Sequence, residues 1–426
     1  MGTEKIRDSV KADHKKENAM NDYSSYFLMD DRTVVDYVRT KTNFFPDEDV
    51  LEGKEIGDGN VNYVFRVASR KTGRSIIVKQ AGQATRIDHN WFLSTDRGRI
   101  ETEILKIQNE LAPGLVPEVY LYDEVMFAIV MEDMVHHEMM RDALMQHKSF
   151  PLFADQISTF LAQTLLRTND LVMEHKAKKE RVKSFINPEL CEITEQLVYS
   201  EPYNNCRGRN HVFPANADFV EQNLYQNKPL HLAVAKLRFE FMNNAQSLVH
   251  GDLHTGSIFI NQEHAYVFDP EFAFYGPAGY DIGNILANLF FAWGNGLVTM
   301  EDGSEKENYL RWLESCVRDI VDLFIEKYHQ VFRTYATDEM ASAEGFEDWY
   351  LSQILLSAAG CAGLEMNRRI VDMANVKDIT GIEDPDRRVR AERIIITTAN
   401  ELILHADRFV SGQEYVRSWN SAAAKF

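Results

Sequence analysis

The stretch that decides the fold runs from Leu248 to Gly283 and reads LVHGDLHTGSIFINQEHAYVFDPEFAFYGPAGYDIG. Short apolar segments that are typical of strands alternate there with acidic turns: Asp252 follows one strand, Asp269 ends the next, and Glu271 comes two places later. Phosphoryl-transfer enzymes place a base beside metal ligands in this way, because Mg²⁺ prefers hard oxygen ligands. We therefore interpret the stretch as a reaction centre.

A purely structural interpretation of these acidic residues is also open. Aspartate is common in turns and caps, so Asp252 and Asp269 could serve only there. Asp281 begins an apolar, helix-like run, and we interpret it as an N-cap that also braces the catalytic loop. The order of the motifs along the whole chain favours the catalytic interpretation.

Length and charge limit what the protein can be. Its 426 residues suggest two or three domains or one large two-lobed domain. With 46 Lys+Arg against 65 Asp+Glu, the formal charge of −19 argues against a nucleic-acid or membrane partner. The sequence has no apolar run long enough to span a membrane, and its cysteines are scattered, so we expect a cytoplasmic protein without disulfides or zinc. The cysteines are Cys191, Cys206, Cys316 and Cys361.

The pattern changes character along the chain and predicts an α+β, bilobal fold. Residues 1–28 are highly charged and are expected to form a mobile extension. Residues 29–134 contain a helix, two pairs of strand-like runs and a second helix, which predict a small β-rich N-lobe. Residues 135–426 are mostly helical by pattern and predict a larger C-lobe.

The small lobe carries a candidate phosphate loop. Gly57 and Gly59 lie in a turn between two strands, and glycine pairs let backbone N–H groups approach phosphate oxygens closely. The feature is weak alone, since most such turns are only hairpins and Asn62 stands where protein kinases have a third glycine.

A lysine and a glutamate strengthen this interpretation. Lys79 closes an apolar strand, where it could reach ATP phosphates, although a solvated strand end is the plainer alternative. Glu101 follows 22 residues later on a predicted helix, where it could pair with Lys79. Glu103 is its competitor for that pairing.

At these residues a family resemblance becomes plain. The segments HGDLHTGS (250–257) and DPEFAFYGPAGYDIG (269–283) resemble S-methyl-5-thioribose kinases, within the aminoglycoside-phosphotransferase-like group of protein-kinase-like folds. Segments 56–65, 190–203 and 368–392 are similar to that family too, so the resemblance covers about residues 30 to 410. Aminoglycoside and choline kinases usually have Asn where this chain has Ser257, which favours the thioribose kinases.

The resemblance implies a role for each matched position. Asp252 would be the catalytic base that orients the sugar's anomeric hydroxyl, and Asp269 and Glu271 would hold Mg²⁺. Lys79, paired with Glu101, would hold the phosphates of ATP. The remaining nucleotide contacts would come from Gly57, Asp58, Gly59 and Asn60 over the phosphates and from Glu132 and Met134 at the adenine hinge.

Three further residues are candidates for the substrate site. Arg368 and Arg369 resemble the family's paired arginines beside the transferred phosphoryl group, whereas spacing alone favours a solvated pair on a helix surface. Trp91 resembles an aromatic on a flap over the active site, although a core-packing role is nearly as good an explanation.

The implied activity is ATP-dependent phosphorylation of S-methyl-5-thioribose in methionine salvage by a cytoplasmic homodimer. Two alternatives stay open at this point: another small-molecule kinase of the aminoglycoside and choline kinase group, or a kinase-like binding module without catalysis. Retention of Asp252, Asp269, Glu271 and Lys79 together argues against an inactive module.

Overall fold

The computed structural model describes residues 23–57, 62–82 and 94–426. The chain divides by its contacts into two compact units. The first contains the described residues up to 102 together with 119–135, and the second contains 103–118 and 136–426.

The first unit is an antiparallel five-stranded sheet with strand order β1-β2-β3-β5-β4. Its elements are α1 (Thr33–Lys41), β1 (Leu51–Glu55), β2 (Asn62–Ser69), β3 (Ser75–Ala81), the start of α2 (Arg97–Leu111), β4 (Val119–Asp123) and β5 (Ala128–Glu132). Both hairpins that the sequence predicted are present, and the β2–β3 turn uses Gly73 at φ 72°.

The two faces of this sheet follow the two-residue period of a strand. Phe65, Ile76 and Val130 lie in one buried cluster, which also contains Val34 and Tyr37 of α1. Ile77, Ile129 and Met131 form a separate buried cluster. Because successive side chains alternate between faces, Lys79 shares its side of β3 with Ile77.

The expected mobile extension over residues 1–28 is wrong for its last part. Tyr23 is buried in the first unit's core, where its ring packs edge-on against Tyr37. Gln80 Nε2 donates to the Phe27 carbonyl oxygen at 2.8 Å. These contacts fix residues 23–28 because they bury aromatic surface that the charged beginning of the chain does not suggest. Residues 1–22 lie outside the described residues.

The second unit is mostly helical. Its helices are the rest of α2, α3 (Met140–Met145), α4 (Phe153–Arg167), α5 (His175–Ser184), α6 (Pro188–Leu197), α7 (Glu201–Asn204), α8 (Ala217–Val220), α9 (Lys228–Asn243), α10 (Gly279–Thr299), α11 (Ser304–Tyr335), α12 (Phe346–Val371), α13 (Lys377–Thr380), α14 (Pro385–Leu404) and α15 (Gly412–Ala423). Short 3₁₀ or π turns lie at Pro214–Asn216, Glu221–Tyr225, Thr255–Ser257, Met340–Ser342 and Ala406–Arg408.

Two small sheets interrupt these helices. Their strands are β6 (Glu138–Met139), β7 (Ser247–Val249), β8 (Ile258–Ile260), β9 (Ala265–Val267) and β10 (Phe274–Gly276). They pair as β6-β8-β9 and as β10-β7, all antiparallel. The acidic turns quoted at the start therefore connect short, buried strands.

Helices α10 and α12 form the centre of the second unit. A Cβ added at Gly283 would lie 2.5 Å from the Ala362 nitrogen and 2.6 Å from the Ala358 oxygen, so glycine lets the two helices approach closely. This packing holds the start of α10, with Asp281, near the half of α12 that carries two arginines in its last turn. Within the described residues, we find no helix long and apolar enough to cross a membrane.

Candidate active site

In the first unit, Lys79 and Glu101 form a buried ion pair. Lys79 Nζ donates to both carboxylate oxygens of Glu101, at 2.8 and 2.7 Å, and Glu101 is only 2% exposed. The predicted partner of Lys79 is therefore in place, and Lys79 is not a solvated strand end. A carboxylate that accepts twice from one ammonium fixes the direction of a long, flexible side chain.

Other predicted nucleotide contacts fall in or beside described elements of this unit. Gly57 follows β1 by two residues. Glu132 is the last residue of β5, where it lies opposite Ile76 of β3, and Met134 follows in the loop. Asp58, Gly59, Asn60 and Trp91 lie outside the described residues, so their assignments stay predictions.

In the second unit, a tight loop presents Asp252. Gly251 has φ +84°, and a Cβ at this position would lie 2.3 Å from the Phe272 carbonyl oxygen, so only glycine fits. The Asp281 carboxylate accepts from the His250 N–H at 2.7 Å and from the Gly251 N–H at 3.0 Å. The predicted brace is therefore present.

The predicted N-cap role of Asp281 is wrong. Helix α10 begins at Gly279, and Ala278 is its N-cap residue. Asp281 lies inside the first turn, where its side chain turns to the loop's backbone N–H groups and does not cap its own helix. Burial raises the pKa of this carboxyl, and the two N–H donors and His250 oppose that shift.

Three basic side chains surround the Asp252 carboxylate. Oδ1 lies 3.4 Å from Arg368 Nη2 and 3.5 Å from Arg369 Nη2, and Oδ2 lies 3.4 Å from His254 Nε2. Burial alone would raise the pKa of Asp252, but His254 and the two guanidiniums outweigh it and hold that pKa far below its usual range. Asp252 is therefore held as an ionised carboxylate, which can accept hydrogen bonds.

The paired arginines are not a solvated helix face. Arg368 is 8% exposed and Arg369 is 9% exposed. Both donate through Nε to the Glu365 carboxylate, which accepts from Arg369 at 2.7 Å on Oε1 and from Arg368 on Oε2. The spacing rule failed here because it sees charge and position on the helix, but neither the burial of this helix face nor the Asp252 carboxylate that the fold places opposite these arginines.

The second acidic turn places two carboxylates together. Oxygens of Asp269 and Glu271 lie within 4.8 Å of one another. Asp269 adopts φ +65°, a left-handed conformation that aspartate tolerates better than most residues. The Asn187 amide donates to the Glu271 carbonyl oxygen at 2.8 Å and so fixes the turn. Two hard oxygen donors on a fixed turn suit Mg²⁺, which usually takes one or two protein carboxylates.

Sequence reasoning gave Glu365 and His254 no role in this site, and it used Ser257 only to distinguish between families. The Ser257 hydroxyl lies 3.2 Å from the Asp252 carbonyl oxygen and 3.2 Å from His254 Nδ1, so it ties the loop to the histidine. Glu365 stands three and four residues before the arginines, the spacing at which helical side chains meet, and that spacing could have revealed it.

The chain is similar to known phosphotransferases. Residues 52–314 match the family described as "Phosphotransferase enzyme family". The chain is 38% identical to methylthioribose kinase of Geobacillus sp. (strain WCH70) over 375 residues, which cover 88% of this chain and 91% of that protein. It is 36% identical to methylthioribose kinase of Geobacillus thermodenitrificans over 378 residues, 88% of this chain and 93% of that one.

Among solved structures, the fold is similar to that of Plasmodium vivax ethanolamine kinase. The TM-score is 0.44 and the identity 15%, with 94% of this chain and 95% of that chain covered. The level of sequence identity to the two Geobacillus enzymes, over nearly their whole length, decides the assignment. The chain belongs to the methylthioribose kinase family of phosphotransferases.

Proposed function

We propose that the protein transfers the γ-phosphoryl group of ATP to the anomeric hydroxyl of S-methyl-5-thioribose and forms S-methyl-5-thioribose 1-phosphate, a step of methionine salvage. The observation that carries the proposal is the ionised Asp252 carboxylate within 3.5 Å of two buried guanidiniums. The carboxylate suits the acceptor hydroxyl, and the guanidiniums suit the phosphoryl group that is transferred to it. The names of the related proteins support the choice of sugar.

Asp252 would orient the acceptor hydroxyl. Because the pKa of Asp252 is held far below its usual range, the carboxylate is a weak base and acts first as a hydrogen-bond acceptor. The hydroxyl oxygen forms a bond to the γ-phosphorus while the bond from that phosphorus to the bridging oxygen breaks, and its electron pair leaves with ADP. The hydroxyl proton passes late to Asp252, consistent with a loose transition state, and then to solvent.

The arginines and the lysine would handle phosphate charge. Arg368 and Arg369 would face the equatorial oxygens of the moving group, where planar donor forks match phosphoryl geometry. Lys79, held by Glu101, would bind the nonreacting phosphates. Residues 57–60 would cover those phosphates, and Glu132 and Met134 would contact the adenine. Trp91 would close over the sugar.

Asp269 and Glu271 would hold Mg²⁺. The bound ion supplies positive charge that neutralises phosphate oxygens. The two side chains would keep it at a fixed turn. Changing Asp269→Asn or Glu271→Gln removes an anionic ligand, so we expect each variant to need about tenfold or more Mg²⁺ for half-maximal rate.

Titration of the rate with Mg²⁺ measures this requirement. The matched control is Asp302→Asn, since that carboxylate is 98% exposed at the surface. Parent-like Mg²⁺ dependence in both site variants would show that the acidic turn does not bind the metal.

The substrate assignment is tested by ADP release with Mg-ATP over a panel of acceptors. The panel contains methylthioribose, ribose, choline, homoserine and kanamycin. We expect the highest kcat/KM with methylthioribose and a product whose ³¹P spectrum shows coupling to the anomeric proton. A higher kcat/KM for choline or kanamycin would reject the sugar and favour the wider small-molecule kinase group. If no acceptor of the panel supports ADP release, a binding module is favoured.

The remaining predictions concern organisation. We propose that residues 29–134 act as the nucleotide lobe and residues 135–426 as the catalytic lobe. We also propose a cytoplasmic homodimer; four cysteines without a disulfide are compatible with a reducing compartment. Light scattering of the purified chain would test the dimer.

A further inference from the structure

The buried carboxylate of Glu365 accepts a hydrogen bond from the Nε atom of both arginines of the site. Glu365 Oε1 accepts from Arg369 Nε at 2.7 Å, and Oε2 accepts from Arg368 Nε. Glu365 is 1% exposed, and the two arginines lower its pKa to about 2 although burial acts in the opposite direction. The carboxylate is therefore ionised whenever the site is folded at neutral pH.

This arrangement leaves the far ends of the guanidiniums on Asp252. Arg368 Nη2 and Arg369 Nη2 lie 3.4 and 3.5 Å from the same oxygen, Oδ1. These separations are longer than the bonds to Glu365, so the contacts to Asp252 are the weaker ones. Among these four side chains, two guanidiniums face two carboxylates, and an incoming anion would compete with Asp252 for the Nη2 groups.

We infer that Glu365 is a positioning residue: it fixes Arg368 and Arg369 through Nε, so that their Nη2 groups can leave Asp252 and meet the transferred phosphoryl group. The inference rests on the proposed function and deepens it, because it states how the arginines can contact Asp252 and then the transferred phosphoryl group. A guanidinium is planar, so holding Nε sets the plane in which the Nη donors lie. A phosphoryl oxygen can displace Asp252 from Nη2 without disturbing Glu365.

A simpler role for Glu365 would be charge balance within the core. Two buried guanidiniums need nearby negative charge, and a carboxylate anywhere in the cluster would supply it. That role predicts that a shortened carboxylate is tolerated. The positioning role predicts that it is not, because retraction by one methylene removes the simultaneous bond to both Nε atoms.

The experiment compares Glu365→Asp, Glu365→Gln and the matched control Glu392→Gln. Glu392 is also 1% exposed, and it also accepts from an arginine four residues away, Arg388 Nε, at 2.8 Å. We expect kcat to fall about 10- to 1000-fold in both Glu365 variants with KM for ATP within about threefold of the parent. Glu392→Gln should lower the melting temperature but leave kcat within about twofold.

A parent-like kcat in Glu365→Asp would overturn the inference and leave charge balance as the role. If Glu365 variants do not fold, the parent itself decides, through ¹⁵N-arginine NMR with resonances assigned by Arg368→Lys and Arg369→Lys. The probe is MgADP with aluminium fluoride, a mimic of the moving phosphoryl group. We expect the Nε–H resonances to stay protected from exchange while the Nη resonances shift; freely exchanging Nε–H groups would refute the anchoring.

These measurements are separate from the test of the proposed function. The NMR arm uses no sugar, so it reports on Glu365 even if the parent fails to phosphorylate methylthioribose. In that case the proposed function falls, and kcat of the variants is measured with whichever acceptor of the panel is turned over.

Discussion

The two units hold their charges in different ways. In the first, Lys79 and Glu101 form a closed pair, with both carboxylate oxygens on one ammonium. In the second, Asp252 shares Arg368 and Arg369 with Glu365, and His254 adds a further contact. A closed pair can set the direction of one side chain, whereas a shared set can exchange partners when an anion arrives. The first suits steady binding of phosphates, and the second suits a step in which charge moves.

The largest expected effect is at the centre of the shared set. Asp252→Ala removes the acceptor that orients the hydroxyl, so kcat should fall about 10²- to 10⁴-fold with KM for ATP nearly unchanged. Steady-state kinetics with methylthioribose measures both. Turnover close to that of the parent would take Asp252 out of the catalytic role and remove the contrast between the two units.

The arginines should show the next largest effect. Arg368→Lys and Arg369→Lys keep the charge but lose the planar fork, so each should cost about 10- to 1000-fold, less than complete loss of an arginine finger. Loss in kcat would place the arginine at the transition state, and loss only in KM for the sugar would make it a substrate holder. Two variants indistinguishable from the parent would contradict any role in catalysis.

Breaking the closed pair should affect binding more than turnover. Glu101→Gln leaves Lys79 without its charged partner, so we expect KM for ATP to rise about 10- to 100-fold with a smaller change in kcat. The matched control is Glu52→Gln in the same unit, where Glu52 of β1 pairs with Arg70 at 2.9 Å in an exposed position. If both changes have equal effects on KM, the buried pair has no special part in nucleotide binding.

The smallest effect is a pH dependence of stability that distinguishes Glu365. Its pKa of about 2 lies below the usual value of 4.5, so it stabilises the fold above about pH 4.5 and loses that contribution as the pH falls toward 2. Between about pH 5 and pH 3.5 the loss should be about 1 kcal/mol.

Urea unfolding of the parent and of Glu365→Gln at several pH values measures this contribution. Glu365→Gln should lack the decrease in unfolding free energy that the protonation of Glu365 causes in the parent. Burial raises the pKa of Glu392, so Glu392→Gln should differ from the parent with the opposite sign: the stabilisation from the protonated group is present at low pH and lost as the pH rises. Parallel pH curves for all three proteins would show that Glu365 is not anchored by charge.

Much of the architecture could be predicted from the sequence, because it depends on local patterns. Strand-like runs gave both hairpins of the first unit, with a turn glycine marking the β2–β3 hairpin, and helical spacing gave α1 and α2. The order of glycine loop, lysine, glutamate and two acidic motifs indicated a kinase-like fold, since that chemistry needs these groups in that order. The packed segment 23–28 was missed because its partners, such as Gln80, which bonds to Phe27, are distant in the sequence.

By itself, the sequence determined which residue types could perform phosphoryl transfer, since Asp252, Lys79 and the pair Arg368 and Arg369 are recognisable from their motifs. Only the tertiary structure decided whether the arginines were solvated or buried. A helix pattern records spacing along one element, while burial depends on the strands and helices that pack over it. Glu365 meets those arginines by its spacing along α12, whereas the close crossing of α10 and α12 and the positive φ of Gly251 bring Asp252 to them, and this turned an ordinary RR pair into a catalytic candidate.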